Sequence, residues 1–518
     1  MTTHSGIFTL ARDVSVVAVA EALRTDGCGE RDATVRVLAA PRLRARRELL
    51  DSFDWRLFAA GLMLEWQCDA RESRLRLWTR GALGAPLEVA AQHRPRVLDD
   101  LPVAALRRRL ARVLGVRALL VQGTQAATLE RLDLFDARDK VVARVELWRV
   151  PRARTQLARV VAVRGFEAAA RAAARRLGTL AVAADDAADP IWSAARRSPV
   201  PPGGYPSWRV SGLDAAMRAD DGVQRVLRHY ARIMTLNIDG ARAHLDPEFL
   251  HDFRIGLRRS RALLRLLPGV FASARLRPQL AFLAWLGRET TITRDADVHA
   301  LVFPGYAAAL GDPALTEALA PVWARVRQER RDAHARLTAL FASARFKRRW
   351  AAWTRFLEQP APRTSRQPHG PMALRAVGTH ALHAAARRVR RRGRRIAFDA
   401  PAQAYHNLRK DCKRLRYLID TFESVMDVDG LARATRRLKA LQEVLGEHQD
   451  LDVHRAALQR LYEATVRDGA ADADSAAAMH RLLAELDARS AAARARFACE
   501  FEAFLAVRLD RVLREAPP

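Results

Sequence analysis

The segment His251-Asp-Phe-Arg254-Ile-Gly-Leu-Arg258-Arg259-Ser-Arg261 recurs 155 residues later as His406-Asn-Leu-Arg409-Lys-Asp-Cys-Lys413-Arg414-Leu-Arg416. A second motif, Asp295-Ala-Asp297-Val298-His299, recurs at the same spacing as Asp450-Leu-Asp452-Val453-His454. Two separate motifs that share one offset indicate an internal duplication, and we predict two helical bundles of about 150 residues each.

Each copy of the first motif places its basic residues on one side of a helix. At about 100° per residue, positions three and four apart share a face, and the apolar residues fall on an adjoining sector. The first stripe consists of His251, Arg254, Arg258, Arg261 and Arg265. The second stripe consists of His406, Arg409, Lys413 and Arg416. Each helix therefore has one face for a core and one face lined with cations.

The stripes have two interpretations. A basic stripe is often only a solvated helix face. Here, however, the acidic partners that usually neutralise such a face are nearly absent, and a histidine stands at the same end of both copies. If each preceding helix packs beside its stripe helix, further arginines can converge on the same channel: Arg228, Arg232, Arg387 and Arg391. We favour a binding surface for a polyanion.

The Asp-x-Asp-Val-His motif also has two interpretations. In the first, the motif lies at a helix terminus, where Asp295 and Asp450 cap backbone amides or pair with an arginine of a stripe. In the second, its carboxylates and imidazole hold a metal ion. We favour the first interpretation, because carboxylates in such basic surroundings are readily used as ion-pair partners. No metal site is predicted.

Composition limits the class of protein. The 518 residues include 88 Lys and Arg against 58 Asp and Glu, a formal charge of +30, and only five of the basic residues are lysine. A hydrophobic fraction of 49% indicates a globular chain. The sequence has no apolar run long enough to span a membrane and no recognisable secretory signal. Its four cysteines are widely spaced, so we expect neither a disulfide framework nor a zinc knuckle, and we expect a cytosolic protein.

The chain is predicted to be multidomain. Residues 185–210 are rich in proline and glycine and are interpreted as a linker. Before it, residues 1–184 alternate apolar and polar positions in short pieces, which favours an α+β domain of antiparallel strands. Helices are expected near Val103–Leu114 and Phe166–Leu177. After it, helical periodicity dominates, and the two repeats occupy residues 211–360 and 361–518.

The duplicated motifs resemble the CHAD domain, a family named for its conserved histidine α-helical core. The resemblance covers roughly residues 215–513. It implies an all-α domain in which two four-helix bundles, related by a pseudo-twofold axis, enclose a basic channel that binds inorganic polyphosphate. The residues that match the family's motif are His251, Arg254, Arg258, Arg261, His406, Arg409, Lys413 and Arg416. The two copies differ at one point, because Gly446 precedes Asp450 by four residues whereas Gly287 precedes Asp295 by eight.

The N-terminal half is similar in places to the CYTH-type triphosphate tunnel domain, which implies an eight-stranded antiparallel β-barrel. The stretch from Leu50 to Leu64 and the segment around Glu146 carry this resemblance. The family's catalytic Glu-x-Glu-x-Lys strand is missing, because the first strand reads Gly6-Ile-Phe-Thr-Leu-Ala-Arg12. Without paired carboxylates a divalent metal has no anchorage. We therefore interpret this domain as degenerate CYTH-like, with no catalytic residues.

Three functions follow as hypotheses. The leading one is binding of inorganic polyphosphate without catalysis and without a cofactor, in the cytoplasm, with polyphosphate granules as a candidate location. The second is a metal-dependent triphosphate or polyphosphate hydrolase that uses residual acids of the barrel. The third is a nucleic-acid binder, which we disfavour because most aromatic residues stand at apolar spacings typical of a core. We expect no specific nucleic-acid partner and no membrane partner.

Overall fold

The structure, a computed structural model, describes residues 6–24, 36–183, 189–360, 367–397, 400–426 and 431–514. The chain divides into two compact units, Met1–Tyr205 and Pro206–Pro518. The division lies within the segment interpreted as a linker, and the described residues 189–205 of that segment belong to the first unit. The expected border between the two repeats, between residues 360 and 361, falls at the edge of a segment that lies outside the described residues. None of the described helices combines the length and apolarity needed to cross a membrane.

The first unit is built on one antiparallel sheet, which confirms the predicted α+β class. Its strands are β1 (Ile7–Ala11), β2 (Arg36–Ala39), β3 (Leu43–Asp51), β4 (Leu62–Asp69), β5 (Ser73–Thr79), β6 (Leu87–Ala90), β7 (Leu120–Phe135), β8 (Val141–Arg149), β9 (Thr155–Ala162) and β10 (Ala181–Ala183). They lie in the order β10-β1-β9-β8-β7-β3-β4-β5-β6, with β2 paired to β7. The described sheet thus has ten strands where the CYTH resemblance implies eight.

Short helices complete the first unit. They are α1 (Val16–Arg24), α2 (Arg56–Ala59), α3 (Ala104–Leu114), α4 (Glu167–Gly178) and α5 (Pro190–Ala195). The two helices expected from the sequence correspond to α3 and α4. Helix α3 buries a row of leucines at spacing four, Leu106, Leu110 and Leu114, against one end of the sheet. Helix α5 buries Ile191 and Trp192, so it is part of the packed unit.

The second unit is entirely helical, as predicted. Its first repeat contains α6 (Ala219–Arg242), α7 (Pro247–Leu266), α8 (Ser273–Ala308), α9 (Pro313–Ala318), α10 (Ala320–Ala342) and α11 (Ala344–Glu358). Its second repeat contains α12 (Leu374–Gly393), α13 (Ala402–Met426), α14 (Leu431–Arg467), α15 (Ala473–Leu505) and α16 (Leu509–Arg514). In the first repeat α6, α7, α8 and α10 pack in a closed ring, and in the second repeat α12, α13, α14 and α15 take the equivalent places.

Equivalent residues of the two repeats meet each other, which locates a pseudo-twofold axis. Arg218 and Ala373 are 155 residues apart and form a β-bridge between the segments that lead into α6 and α12. His299 and His454 are also 155 residues apart, and their rings lie 5.7 Å apart in an edge-to-face arrangement. Two self-pairing positions define an axis, so the duplication seen in the sequence is a symmetry of the fold.

The stripe helices form where the sequence supplies the necessary local signals. Asp246 caps α7 by accepting hydrogen bonds from the backbone N–H groups of Glu248 and Phe249, and Pro247 follows as the first helical residue. Gly240 of α6 lets α7 approach closely, because a Cβ there would lie 2.2 Å from the ring of Phe249. The apolar face of α7 is thereby fixed against α6.

Candidate functional site

The two stripes meet at the pseudo-twofold axis. Arg258 of α7 and Lys413 of α13 occupy equivalent positions, 155 residues apart. The pKa of Lys413 is lowered to about 8 by burial and then by the charges of Arg409 and Arg258. Since Arg258 belongs to the first repeat and Arg409 to the second, cations of both stripes act on one ammonium group. The stripe residues of α7 and α13 therefore form one continuous basic surface, which we call the axial surface.

Arg254 of the first stripe is fixed by neutral oxygens of α8. Its Nη1 donates to the carbonyl oxygen of Gly287 at 3.0 Å and to Oγ1 of Thr290 at 2.7 Å. Its Nη2 donates to Oγ1 of Thr291 at 3.0 Å. Burial, followed by the neighbouring Arg258, lowers the pKa of Arg254 to about 10. These partners orient the guanidinium without neutralising its charge.

The second stripe is held differently. Arg409 donates from Nη2 to Oδ1 of Asp450 at 3.0 Å, and Arg416 donates from Nη1 to Oε1 of Gln442 at 3.1 Å. His406 forms a hydrogen bond of 2.5 Å between Nδ1 and Oε1 of Gln449. All three acceptors lie on α14, so one helix positions three of the four residues of the second stripe.

Several cations of the axial surface have no counter-charge among the described residues. Arg258 and Arg265 are exposed and form no described hydrogen bond or ion pair. Arg261 has a buried Nε without a partner, and its pKa is lowered by burial and by three nearby arginines: Arg265, Arg288 and Arg414. Unrelieved repulsion of this kind costs folding free energy, which a bound anion would recover.

The structure adds residues to this surface that the sequence did not single out. Arg288 of α8 lies beside Arg261, Arg294 of α8 lies beside Arg258, and Arg460 of α14 lies beside Asp295. Their counterparts at the repeat offset are Glu443, Gln449 and Gly305. Because these counterparts are not cations, the three arginines could not be predicted as charges shared by both copies. Only Arg294 had a signal in the sequence, because it belongs to the Thr290–Arg294 segment, which differs between the copies.

The convergence of the arginines on the helices preceding the stripes stays a prediction. Helices α6 and α12 do pack beside α7 and α13. Arg228, however, donates from Nε to the carbonyl oxygen of Leu357 at the end of α11, at 2.7 Å. The other three, Arg232, Arg387 and Arg391, are exposed. Among the described contacts, none joins these four residues to the axial surface.

The Asp-x-Asp-Val-His motifs lie in the middle of α8 and α14, so their expected position at a helix terminus is wrong. The expected ion pairing is found for Asp450, which accepts from Arg409. Asp297 is fully buried and accepts from Nε of Arg330 at 2.8 Å and from Nε2 of His334 at 2.7 Å.

Gly287 and Gly446 also lie within these continuous helices, so no turn separates either glycine from the aspartate that follows it. Gly446 lies under Arg409, with an added Cβ only 3.6 Å from its Nη2. At the equivalent place the first repeat has Thr291, which binds Arg254 instead. No group of His, Cys, Asp and Glu suited to a metal ion occurs among the described residues.

A buried arginine links the two repeats behind the axial surface. Arg259 of α7 donates from Nη2 to Oδ2 of Asp420 on α13 at 2.8 Å. Its guanidinium also lies over the ring of Tyr417, 5.1 Å from the centroid. Tyr230 and Thr421 add a hydrogen bond of 3.1 Å between α6 and α13. These contacts hold α7 against α13 and so fix the spacing of the stripes.

The acids inside the first unit are occupied by internal partners. Oε2 of Glu65 accepts from Nη1 of Arg159 at 2.7 Å, and Oε1 accepts from Nη1 of Arg47 at 3.1 Å. Glu146 accepts from Nη1 of Arg76 at 2.6 Å. These side chains reach across the sheet from non-neighbouring strands, so the sheet curls around a charged interior, as the CYTH resemblance implies.

A further carboxylate enters this interior from the chain that follows the sheet. Asp189, fully buried at the start of α5, accepts hydrogen bonds from both Arg47 and Arg159. The pKa of Glu65 is lowered to about 2, because the arginine charges outweigh the effect of its burial. Every charge in this cluster therefore has an opposite charge beside it.

The aromatic residues considered for base stacking are part of the core. Phe253, Phe271, Phe282 and Trp285 are all buried in the helical unit. The described cysteines, Cys68, Cys412 and Cys499, are free thiols, and Cys28 lies outside the described residues. The axial surface thus offers charge and hydrogen-bond donors, with these rings turned inward.

Comparison with known proteins bears on the helical unit. The sequence profile of the CHAD domain matches residues 225–459, a range that contains both stripes and both Asp-x-Asp-Val-His motifs. The crystal structure of the CHAD domain from the plant Ricinus communis is similar at 23% identity, over 56% of this chain and 94% of that one, with a TM-score of 0.47. PptA from Streptomyces chartreusis is similar at 18% identity, over 55% of this chain and 100% of that one, with a TM-score of 0.45. No curated protein sequence matches the chain. Residues 225–459 thus match the CHAD domain model, which confirms the resemblance seen in the sequence for this part of the chain.

Proposed function

We propose that this protein binds inorganic polyphosphate on the axial surface and performs no chemistry on it. The observation that carries the proposal is the meeting of Arg258 and Lys413 at the pseudo-twofold axis, where burial and then the cations of both repeats lower the pKa of Lys413 to about 8. A fold keeps like charges together at such a cost when a ligand compensates them. A flexible chain of phosphates supplies one negative charge at each unit and fits a row of cations.

The chemistry of the row favours phosphate over nucleic acid. Arginine presents forked donors that match phosphate oxygens, and its charge persists at any physiological pH. Binding of single-stranded nucleic acid usually adds aromatic rings on which bases stack, whereas Phe253, Phe282 and Trp285 are buried. The surface is therefore suited to a polymer that offers phosphates alone.

The first unit supports the non-catalytic part of the proposal. A hydrolase of the metal-dependent type needs carboxylates that are free to hold a divalent cation. Glu65 and Glu146 instead bind Arg159 and Arg76 in the interior of the sheet. The alternative of a hydrolase that uses residual acids would require these buried ion pairs to break first. We further propose that this protein is located in the cytoplasm, at polyphosphate granules. The free thiols of Cys68 and Cys499 are compatible with a reducing compartment.

Equilibrium binding of long-chain polyphosphate to the full chain tests the proposal. The double variant Arg258→Ala/Lys413→Ala should lose about 3 kcal/mol of binding free energy, since each contact between a charged donor and phosphate contributes roughly 1.5 kcal/mol. The matched control is Lys347→Ala/Arg348→Ala, which removes the same charges from exposed positions of α11. The control should bind like the wild type, and equal losses in both variants would mean that only net charge matters.

Two further assays separate the alternatives. Release of phosphate from tripolyphosphate with Mg²⁺ or Mn²⁺ should stay at background, and brisk metal-dependent turnover would establish a hydrolase. Single-stranded DNA at an equal concentration of phosphate should fail to displace long-chain polyphosphate. Displacement by the DNA would remove the claim of specificity for the polymer.

A further inference from the structure

The two repeats contribute unequally to the axial surface. The asymmetry concerns eight pairs of equivalent positions that belong to the stripes or are electrostatically coupled to them. In the first repeat they are Glu248, Arg254, Arg258, Arg261, Arg265, Arg288, Arg294 and Asp295. In the second they are Gln403, Arg409, Lys413, Arg416, Asp420, Glu443, Gln449 and Asp450. Six cations stand against two carboxylates in the first set, and three against three in the second. Arg460, whose counterpart is Gly305, and the equivalent pair Arg259 and Arg414 bring the totals to seven against two and five against three.

The hydrogen bonds show the same difference. Arg254 is held by neutral oxygens of Gly287, Thr290 and Thr291, so its charge stays available. Its equivalent, Arg409, is held by the carboxylate of Asp450. The described hydrogen bonds of Arg254 therefore all go to neutral oxygens, with the carboxylate of Asp295 nearby, whereas Arg409 is bound directly by a carboxylate.

The next pair along the stripes repeats the pattern. Arg416 has the carboxylate of Asp420 at 3.7 Å from its Nε. Arg261, its equivalent, is coupled only to further arginines, namely Arg265, Arg288 and Arg414. An anion bound at Arg261 is attracted by all of these uncompensated positive charges. An anion bound at Arg416 competes with the carboxylate of Asp420.

We propose that the polyanion is seated off the axis, on the α7–α8 face of the first repeat, and that Arg261, Arg265, Arg288 and Arg294 form its principal contacts. Lys413 joins this seat from the second repeat, because it lies beside Arg258. The carboxylate of Asp295 lies beside Arg254 and Arg294, and Arg460 supports the seat as a third cation acting on that carboxylate. The inference rests on the proposed function, since it assigns the phosphate chain to one half of the same surface.

Paired variants at equivalent positions test the inference. Arg261→Gln and Arg416→Gln remove the same charge at positions 155 residues apart. We expect Arg261→Gln to weaken binding of tripolyphosphate and of long-chain polyphosphate by about tenfold or more, as loss of a charge-assisted contact predicts. Arg416→Gln should weaken either ligand by no more than about threefold, because Asp420, which is shared with Arg259, partly offsets its charge.

Two single variants guard against a folding artefact. Arg288→Gln changes an exposed side chain with no described hydrogen bond and should follow Arg261→Gln. Glu443→Gln removes an exposed carboxylate at the equivalent position and should strengthen binding. Thermal unfolding followed by circular dichroism shows that each variant is folded.

The outcomes are distinguishable. Equal losses in Arg261→Gln and Arg416→Gln, or a larger loss in Arg416→Gln, would overturn the off-axis seat while leaving polyphosphate binding intact. Failure of the wild-type protein to bind either phosphate ligand would overturn the proposed function itself. Binding of tripolyphosphate that is lost in Arg261→Gln and Arg288→Gln, and kept in Arg416→Gln, is the result we expect.

Discussion

Replacing Lys413 with methionine should stabilise the protein while weakening its proposed ligand binding. Lys413 is partly buried beside Arg409 and Arg258. Its pKa falls from 10.5 to about 8 in the folded state, which corresponds to a penalty of up to roughly 3 kcal/mol for keeping the group protonated. Methionine has a similar length and carries no charge, so Lys413→Met should raise the free energy of unfolding at pH 7 by an amount approaching that figure.

The sign of the pH dependence follows from linkage. Because the folded-state pKa of Lys413 lies below its unfolded value, the unfolded chain binds more protons between about pH 8 and 10.5. The penalty is fully present below pH 8 and is relieved as the pH rises through this window. In the wild type this group therefore makes the free energy of unfolding increase with pH there, and Lys413→Met should lose that contribution.

Urea unfolding followed by circular dichroism at the helical band measures both effects on the full chain. Lys347→Met is the matched control, because Lys347 is an exposed residue of α11. It should leave the midpoint and its pH dependence unchanged. A Lys413→Met protein that is no more stable than the wild type at pH 7, or that keeps the wild-type pH profile, would refute the electrostatic reasoning about the axial surface.

Three other changes probe separate parts of the helical unit. Asp450→Asn should release Arg409 from its carboxylate partner and strengthen polyphosphate binding with a steeper salt dependence, as measured by titration at several salt concentrations. Asp297→Asn should lower the free energy of unfolding by about 2 kcal/mol, because the buried carboxylate accepts from both Arg330 and His334. The pKa of Asp297 lies below its usual value, so the difference in stability between the variant and the wild type should shrink as acid protonates Asp297. Gly240→Ala should cost about 1–3 kcal/mol, since the added Cβ would lie 2.2 Å from the ring of Phe249, and a melting temperature equal to that of the wild type would contradict this packing argument.

The sequence was informative about features that occur in both repeats. The stripes on α7 and α13 could be predicted because charge, helical periodicity and a constant offset coincide, and the equivalent residues Arg258 and Lys413 do meet. Arg288 and Arg294 could not be found in this way, because their equivalents are Glu443 and Gln449. The internal repeat alone therefore cannot predict the asymmetry of the surface.

Other failures have local causes. Strands β3 and β9 lack the alternation that marks a half-exposed strand, because much of their length is buried on both faces. The Asp-x-Asp-Val-His motif was placed at a helix terminus because aspartates commonly cap helices. In the fold Asp297 instead binds a neighbouring helix through Arg330 and His334.

Long-range partners inside the first unit were likewise out of reach of sequence patterns. Asp189 was read as part of a linker, because its neighbours are alanine, aspartate and proline. It is nevertheless fully buried and binds Arg47, which lies 142 residues earlier in the chain. The packing of α5 against β3 and β7 brings these two charges together.

The salt dependence of polyphosphate binding tests the central claim most directly. The logarithm of the binding constant for the full chain should fall linearly with the logarithm of salt concentration, and Arg258→Ala/Lys413→Ala should reduce the slope by about 1.4, as expected for two phosphate contacts on a single-stranded polymer. Lys347→Ala/Arg348→Ala should leave the slope as in the wild type. A slope that is unchanged by removal of Arg258 and Lys413 would contradict the claim that the cations at the axis contact the polymer.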